Sequence, residues 1–247
     1  ADPASVGMSA DLNARLDSIV TTALAEGAAP GAVLAVGRWG RLVHLRAYGA
    51  TDTAAGAPGM TDSTIFDMAS LTKVVAATTA AMILEEEGLL DLDRPVREYL
   101  PELNAPDKAG ITVRMLLVHN AGFAAFGPLW RELRGREAYL AAINAGPLAY
   151  TPGDTTIYSD WDLILTGLII ERLTGKPLDV FLEERVWRPL GMRDTRFNPL
   201  ASAPPGPGED CTATYDPDHP LLARIAPTEV DTVYRNIHVH GIVHDEN

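Results

Sequence analysis

The stretch "FDMASLTKVVAATTAAM", residues 66–82, decides how this chain is read. Lys73 is one of only three lysines in 247 residues, and it follows Ser70 by three positions. After it comes a run of valines, alanines and threonines, with no acid close in sequence to pair the ammonium. Such a run reads as a buried helix, and on a helix positions i and i+3 share one face. Ser70 and Lys73 are therefore expected within hydrogen-bond reach. A serine hydroxyl is a poor nucleophile until a base takes its proton. A lysine whose ammonium is desolvated titrates lower and can serve as that base. A serine at a helix start also brings its own backbone N–H into the region that favours anions, where an oxyanion would sit. The plainer reading is a capping serine and a lysine that snorkels to solvent. The motif by itself leaves both open.

Upstream, "SADLNARLDSIVTTALAEG" (9–27) predicts an amphipathic helix capped by Ser9 and stopped by Gly27, with Leu12, Leu16, Ile19, Ala23 and Leu24 on one face. "GAVLAVGRWGRLVHLRAYGAT" (31–51) predicts a hairpin: a strand over 32–36, a turn through Gly37 to Gly40 and a return strand over 42–48. Downstream the period becomes helical, over 70–87, 112–118, 135–144, 160–174 and 177–187. Gly88 and Gly175 act as stops, Thr112 as a cap, and Pro177 lies in a first turn. Residues 199–220 carry six prolines and predict a long loop, and "IHVHGIV" (237–243) predicts the start of another strand. A hairpin alone is marginal and needs further strands or packing. The expected organisation is an N-terminal helix and first strands of an α/β domain (1–66), a mostly helical domain carrying S-x-x-K and Y-x-D (67–200), and a proline-rich loop returning to the α/β domain, incomplete here (201–247).

"SLTK" (70–73), "LLVHNAGF" (116–123), "TPGDTTIYSD" (151–160) and "RPLGMRDTRF" (188–197) occur in this order. With them the chain resembles the serine β-lactamase and penicillin-binding-protein superfamily, in its branch of class C β-lactamases, DD-peptidases and family VIII carboxylesterases. The resemblance implies an α/β fold of α+β type: an antiparallel sheet flanked by helices, with a mostly helical domain inserted. It implies Ser70 as the acylated nucleophile, Lys73 as its partner, and Tyr158, at the tyrosine of the family's Y-x-N motif, as the group that takes and returns the proton with Lys73. Asp160 stands where that motif usually has asparagine. An acid there holds Lys73 protonated and favours Tyr158 as phenolate base. It also puts β-lactam turnover in doubt, since an amide at that corner commonly orients the substrate's amide group. His119 and Asn120 are expected to line the site, although His119 also reads as a helix C-terminal residue with Gly122 in the turn behind it. The family's third motif, K-T-G or H-x-G, brings the second oxyanion N–H and has no match in residues 1–247. The chain is therefore expected to lack the C-terminal strands and helix, and to need that segment as a continuation or as a separate fragment.

Acids outnumber bases 33 to 20 for a formal net charge of −13, with the two signs interleaved. Nucleic acid and anionic membrane surfaces need a basic face and are excluded as partners. No run of eighteen apolar residues provides a membrane-spanning helix. Cys211 is the only cysteine, so no intrachain disulfide forms. No cofactor and no metal is expected: His238, His240 and His244 of "HVHGIVH" read as ordinary histidines of a strand and loop, and Tyr234 of "YRN" as a chance second Y-x-N. The chain does not begin with Met, which favours a periplasmic or extracellular location over a cytoplasmic one. The expected function is a serine hydrolase acting on a small-molecule ester or amide, with short-chain esters first. The alternatives are a β-lactamase or D-aminoacyl peptidase and, from another class, a non-catalytic homologue kept for binding or assembly.

Overall fold

The computed structural model of the chain describes residues 1–200, 218–233 and 236–242. Antiparallel strand pairs near both ends of the chain and a series of helices between them make a mixed α/β fold. They divide into two compact units: Ala1–Asp67 with Asp218–Gly241, and Met68–Pro217 with Ile242–Asn247. Cys211, Tyr234, His244 and most of the proline-rich segment lie outside the described residues.

The first unit opens with helix α1 (Leu12–Ala25), followed by strands β1 (Gly31–Arg38) and β2 (Arg41–Gly49). The two strands pair antiparallel with Ala32 opposite Tyr48, and the register shifts between Val36 and Gly37. The link is shorter than the sequence suggests. Trp39 and Gly40 make it, with φ of 51° and 69°, the left-handed pair that a two-residue mirror-image turn requires between right-twisted strands. Two expectations for α1 are corrected. Asp11, not Ser9, occupies the N-cap position, and the Ser9 hydroxyl donates to the Asp11 carboxylate instead of capping the backbone. Ile19 is 63% exposed, because polar residues define much of the face that meets β2. His44, 5% exposed, places Nδ1 2.9 Å from Asn13 Oδ1 and Nε2 2.8 Å from Tyr48 Oη. Tyr48 Oη donates to Asp17 Oδ1 at 2.6 Å. Burial, reinforced by that bond to a carboxylate, pushes Tyr48 up to about 12. Later in the chain, β3 (Glu229–Asp231) pairs antiparallel with β4 (Ile237–Val239). The strand expected at 237 is present, and its partner was not foreseen.

The second unit is helical. After a 3-10 turn at Ala69–Leu71 the chain forms a π-helix, Lys73–Thr78, and then α2 (Thr79–Glu86). One continuous α-helix over 70–87 was expected. The Thr79 hydroxyl bonds the Val74 carbonyl five residues back at 2.8 Å, a side-chain bond that fits the wider turn. There follow α3 (Val96–Tyr99), α4 (Val113–Leu117), α5 (Arg136–Ala145), α6 (Asp160–Thr174), α7 (Leu178–Leu182) and α8 (Arg188–Leu190). Thr112 caps α4 by accepting the Met115 N–H at 3.3 Å, and Gly175 ends α6 in the left-handed conformation. Between α7 and α8 lies a second π-turn, Glu183–Trp187. Pro189 explains it: proline has no N–H to give the carbonyl four residues earlier, and its ring crowds that carbonyl.

The core of this unit gathers around α6. Leu165, Ile169 and Ile170 are fully buried in one cluster with Leu84 of α2, Leu100 at the end of α3, Leu116 of α4, Ile143 of α5 and Leu182 of α7. Lys108 is buried too, with Nζ 2.7 Å from the Gly146 carbonyl oxygen and 3.1 Å from both Asp107 carboxylate oxygens. Truncating a buried isoleucine loses transfer free energy and leaves a cavity. Ile169→Ala is expected to lower unfolding free energy by about 2–5 kcal/mol in urea titrations. Leu190→Ala, at a position 70% exposed, is expected to change it by less than about 0.5 kcal/mol.

Candidate active site

Ser70 sits in the 3-10 turn that runs directly into the π-helix. Ala69 before it has φ 41°, a left-handed conformation that costs a residue with a Cβ about 1–3 kcal/mol and gathers at functional sites. The bend leaves Ser70 exposed. Lys73 Nζ donates to Ser70 Oγ at 3.1 Å. From the first turn of α6, Asp160 brings Oδ1 to 2.5 Å from the same ammonium. Tyr158 lies two residues before Asp160, and Nζ is 4.9 Å from the centroid of its ring. Ser70, Lys73, Tyr158 and Asp160 thus share one corner of the second unit.

Burial of the Lys73 ammonium works to lower its titration, but the hydrogen bonds and charge of Asp160, joined by Tyr158, outweigh it, and Lys73 titrates above its ordinary value. Of the two expectations for Lys73, a neutral amine left by desolvation and an ammonium held by Asp160, the geometry favours the second. Lys73 is an ammonium at neutral pH, and towards Ser70 it is a donor. The acid missing from the local sequence arrives from α6.

His119 follows α4 with φ 58°. Its carbonyl oxygen accepts the Ile157 N–H at 2.9 Å and the Tyr150 hydroxyl at 3.1 Å. Its Nδ1 accepts the Ser159 N–H at 3.2 Å, and its ring lies 4.7 Å from that of Tyr158. Burial, with the positive charge of Lys73, lowers its titration. Asn120 contributes backbone: its N–H reaches the Met115 carbonyl and its carbonyl accepts the Gly153 N–H. Its side-chain Oδ1 is buried with no hydrogen-bond partner among the described residues. In the other unit, His238 Nε2 is 3.5 Å from Asp52 Oδ2, and His240 Nε2 faces the carbonyl oxygens of Leu222 and Ile225.

Asp162 was not foreseen. It is 1% exposed, with Oδ2 2.9 Å from His119 Nδ1 and Oδ1 without a partner among the described residues. Burial alone raises its titration to about 8. A signal for it existed in the sequence: Asp162 shares a helical face with Thr166 and Ile169, both fully buried, so an acid stands on the core side of α6.

A family profile described as Beta-lactamase matches residues 16–229. The chain belongs to the β-lactamase family. It is 37% identical over 181 residues to the putative D-alanyl-D-alanine carboxypeptidase of Escherichia coli (strain K12), covering 65% of this chain and 41% of that protein. It is 34% identical over 216 residues to esterase EstB of Burkholderia gladioli, covering 79% of this chain and 54% of that one. Among solved structures, EstCE1, described as a hydrolase with promiscuous acyltransferase activity, matches with a TM-score of 0.68 at 25% identity, over 89% of this chain and 57% of its own. The chain spans about half the length of the curated relatives it matches. No helix of the described residues is long and apolar enough to cross a membrane.

Within this β-lactamase-family chain, the charge state of Lys73 rests on Asp160. The stability that Lys73 contributes through its raised titration is complete below the ordinary lysine value of 10.5 and lost only as pH rises through the higher folded value. Asp160→Asn is expected to move Lys73 titration downward, read by NMR of the lysine ε-CH2 against pH. An unchanged titration in the variant would show that Asp160 does not govern it.

Proposed function

We infer that this chain carries the nucleophile of a serine hydrolase that works through an acyl-enzyme on Ser70, with short-chain carboxylic esters as substrates. The observation that carries this reading is the chain of contacts from Asp160 through Lys73 to Ser70 Oγ, 2.5 and 3.1 Å long. An ammonium pinned by a carboxylate orients the hydroxyl and stabilises negative charge that develops on it, but it accepts no proton. The other ionisable side chain against Lys73 is Tyr158, and the reading gives it the part of base, as phenolate. Ser70 Oγ attacks the ester carbonyl carbon and its proton passes to Tyr158. The tetrahedral oxyanion is held by the Ser70 N–H, then collapses, and Tyr158 returns the proton to the departing alkoxide. Water, deprotonated by Tyr158, releases the acid and frees Ser70.

Asp160 also supports an ester over an amide. A carboxylate only accepts hydrogen bonds, whereas the asparagine usual at this corner also donates. A substrate amide carbonyl finds no donor there, and an ester does not need one. The second reading, a D-aminoacyl peptidase or β-lactamase, has in its favour the identity to the E. coli protein named a putative D-alanyl-D-alanine carboxypeptidase. In both readings the second oxyanion donor and the remaining strands belong to the half of the relatives' length that this chain does not span.

Intact-mass measurement after a fluorophosphonate, with peptide mapping, tests the reading. One adduct is expected, on Ser70, and none in Ser70→Ala, whose ester turnover should fall by about ten-thousandfold or more. Ester hydrolysis by Ser70→Ala at the parental rate would overturn it. Lys73→Ala and Tyr158→Phe should each lose most activity, and the double variant should lose little more than either, because groups in one proton relay act as a unit. A cephalosporin with a higher kcat/KM than the best ester would favour the second reading.

A further inference from the structure

We propose that His119 and Asp162 form a positioning pair for Tyr158, in which the Asp162 carboxyl, as the neutral acid, donates its hydrogen to His119 Nδ1 and the imidazole fixes residues 157–159. The proposal rests on the reading that Tyr158 serves acylation of Ser70, and it gives a role to a buried carboxyl and a half-buried imidazole that the reaction itself does not use.

The hydrogen bonds around His119 Nδ1 fix the direction of the pair. Nδ1 faces the Ser159 N–H at 3.2 Å and Asp162 Oδ2 at 2.9 Å. A backbone N–H only donates, so Nδ1 is the acceptor and carries no hydrogen of its own to offer the carboxyl. The hydrogen between Nδ1 and Oδ2 therefore belongs to Asp162, and it shares the single Nδ1 lone pair with the longer Ser159 contact. The second Asp162 oxygen points the same way. Oδ1 is buried with no partner among the described residues, which is far less costly for a neutral acid than for a carboxylate. Burial drives Asp162 upward to about 8 and His119 downward, in keeping with a neutral pair near pH 7.

The pair holds Tyr158 from three sides. The His119 carbonyl takes the Ile157 N–H, its Nδ1 takes the Ser159 N–H, and its ring lies tilted 49° against the Tyr158 ring between them. The other titratable groups facing this cluster are Lys73 and Asp160, whose charges act on His119 in opposite senses, and Tyr150, whose hydroxyl bonds the His119 carbonyl. A negative charge on Asp162 would draw a hydrogen onto Nδ1, break the bond from Ser159 and release the clamp. His119 and Asp162 are thus positioning residues: His119 touches the Tyr158 ring and the backbone on either side of it, Asp162 acts through His119, and no hydrogen bond joins either to Ser70 among the described residues.

Nitrogen-edited NMR of the imidazoles, run on the full-length protein together with fluorophosphonate labelling, tests the pair. Near pH 7, His119 Nδ1 should resonate as an unprotonated nitrogen. Asp162→Ala should shift the Tyr158 ring resonances and slow labelling of Ser70 by about tenfold to a hundredfold, the scale on which misplacing a catalytic group registers. Asp162→Asn keeps a donor and should recover most of both. The folded chain keeps a proton that the unfolded chain releases at 3.8. Its share of stability is therefore complete in acid and lost as pH rises towards about 8, and Asp162→Asn should remove that slope from Tm against pH. A protonated Nδ1 against ionised Asp162 near pH 7 would overturn the proposal. So would an Asp162→Ala chain with parental Tyr158 resonances and labelling. If the parent itself is not labelled at Ser70, the acyl-enzyme reading falls, and the imidazole spectrum and Tyr158 resonances still decide the pair. If Asp162→Ala does not fold, the same spectrum of the parent and the Tm slope of Asp162→Asn decide it.

Discussion

The contact between Lys73 and Asp160 ties the start of α6 to the helix that follows Ser70. Both side chains are largely buried, 17% and 23% exposed. A pair in that position gains little net stability, because desolvating both charges offsets most of their attraction. Removing one partner would leave the other uncompensated. What the pair supplies is definition: it fixes where the ammonium points, and the ammonium fixes the hydroxyl of Ser70. Without Asp160, burial alone would push Lys73 towards the neutral amine, and the same Ser70–Lys73 spacing would support different chemistry.

The first turn of α6 holds two acids in opposite states. Asp160 faces an ammonium, and Asp162, two residues on, faces a neutral imidazole in the core. Both lie at a helix N-terminus, where the backbone dipole favours negative charge. For Asp162 that favour is too small against burial. Carboxylates of identical chemistry thus acquire different roles from their surroundings: one sets the charge of Lys73, and the other keeps its proton and holds His119. Tyr158 sits just before this turn, between the ammonium and the imidazole.

Helix periods and glycine stops were legible because they depend on neighbours within a few residues. Gly175 ends α6 and Thr112 caps α4 as their positions in the sequence imply. The hairpin was legible for the same reason, although its turn at Trp39 and Gly40 was placed too broadly. The π-turns were not legible, since they depend on where the Thr79 hydroxyl points and on which carbonyl Pro189 leaves unserved. Ser70, Lys73, Tyr158 and Asp160 stand out in sequence through spacing and resemblance, while the 2.5 Å contact between Asp160 Oδ1 and Lys73 Nζ comes from tertiary packing. Asp162 was readable in principle, as an acid on the apolar face of a helix.

The S-x-x-K spacing does not act here through a regular α-helix. Ser70 lies in a 3-10 turn and Lys73 opens a π-helix, yet Nζ reaches Oγ because the long lysine side chain absorbs the irregularity. What cannot be absorbed so easily is the distance to α6. Ala76, Ala77, Ala80 and Ala81 are all buried, and small side chains let two helices approach closely. α6 packs against this π-helix and against α2, which brings its first turn near enough for the short Asp160 side chain to meet Lys73. A larger residue at Ala76, Ala80 or Ala81, which share the core cluster with α6, would crowd that helix, and an aspartate has no spare length with which to follow. The alanines after Lys73, which in sequence mark only a buried helix, thereby take part in setting the charge of the lysine that precedes them.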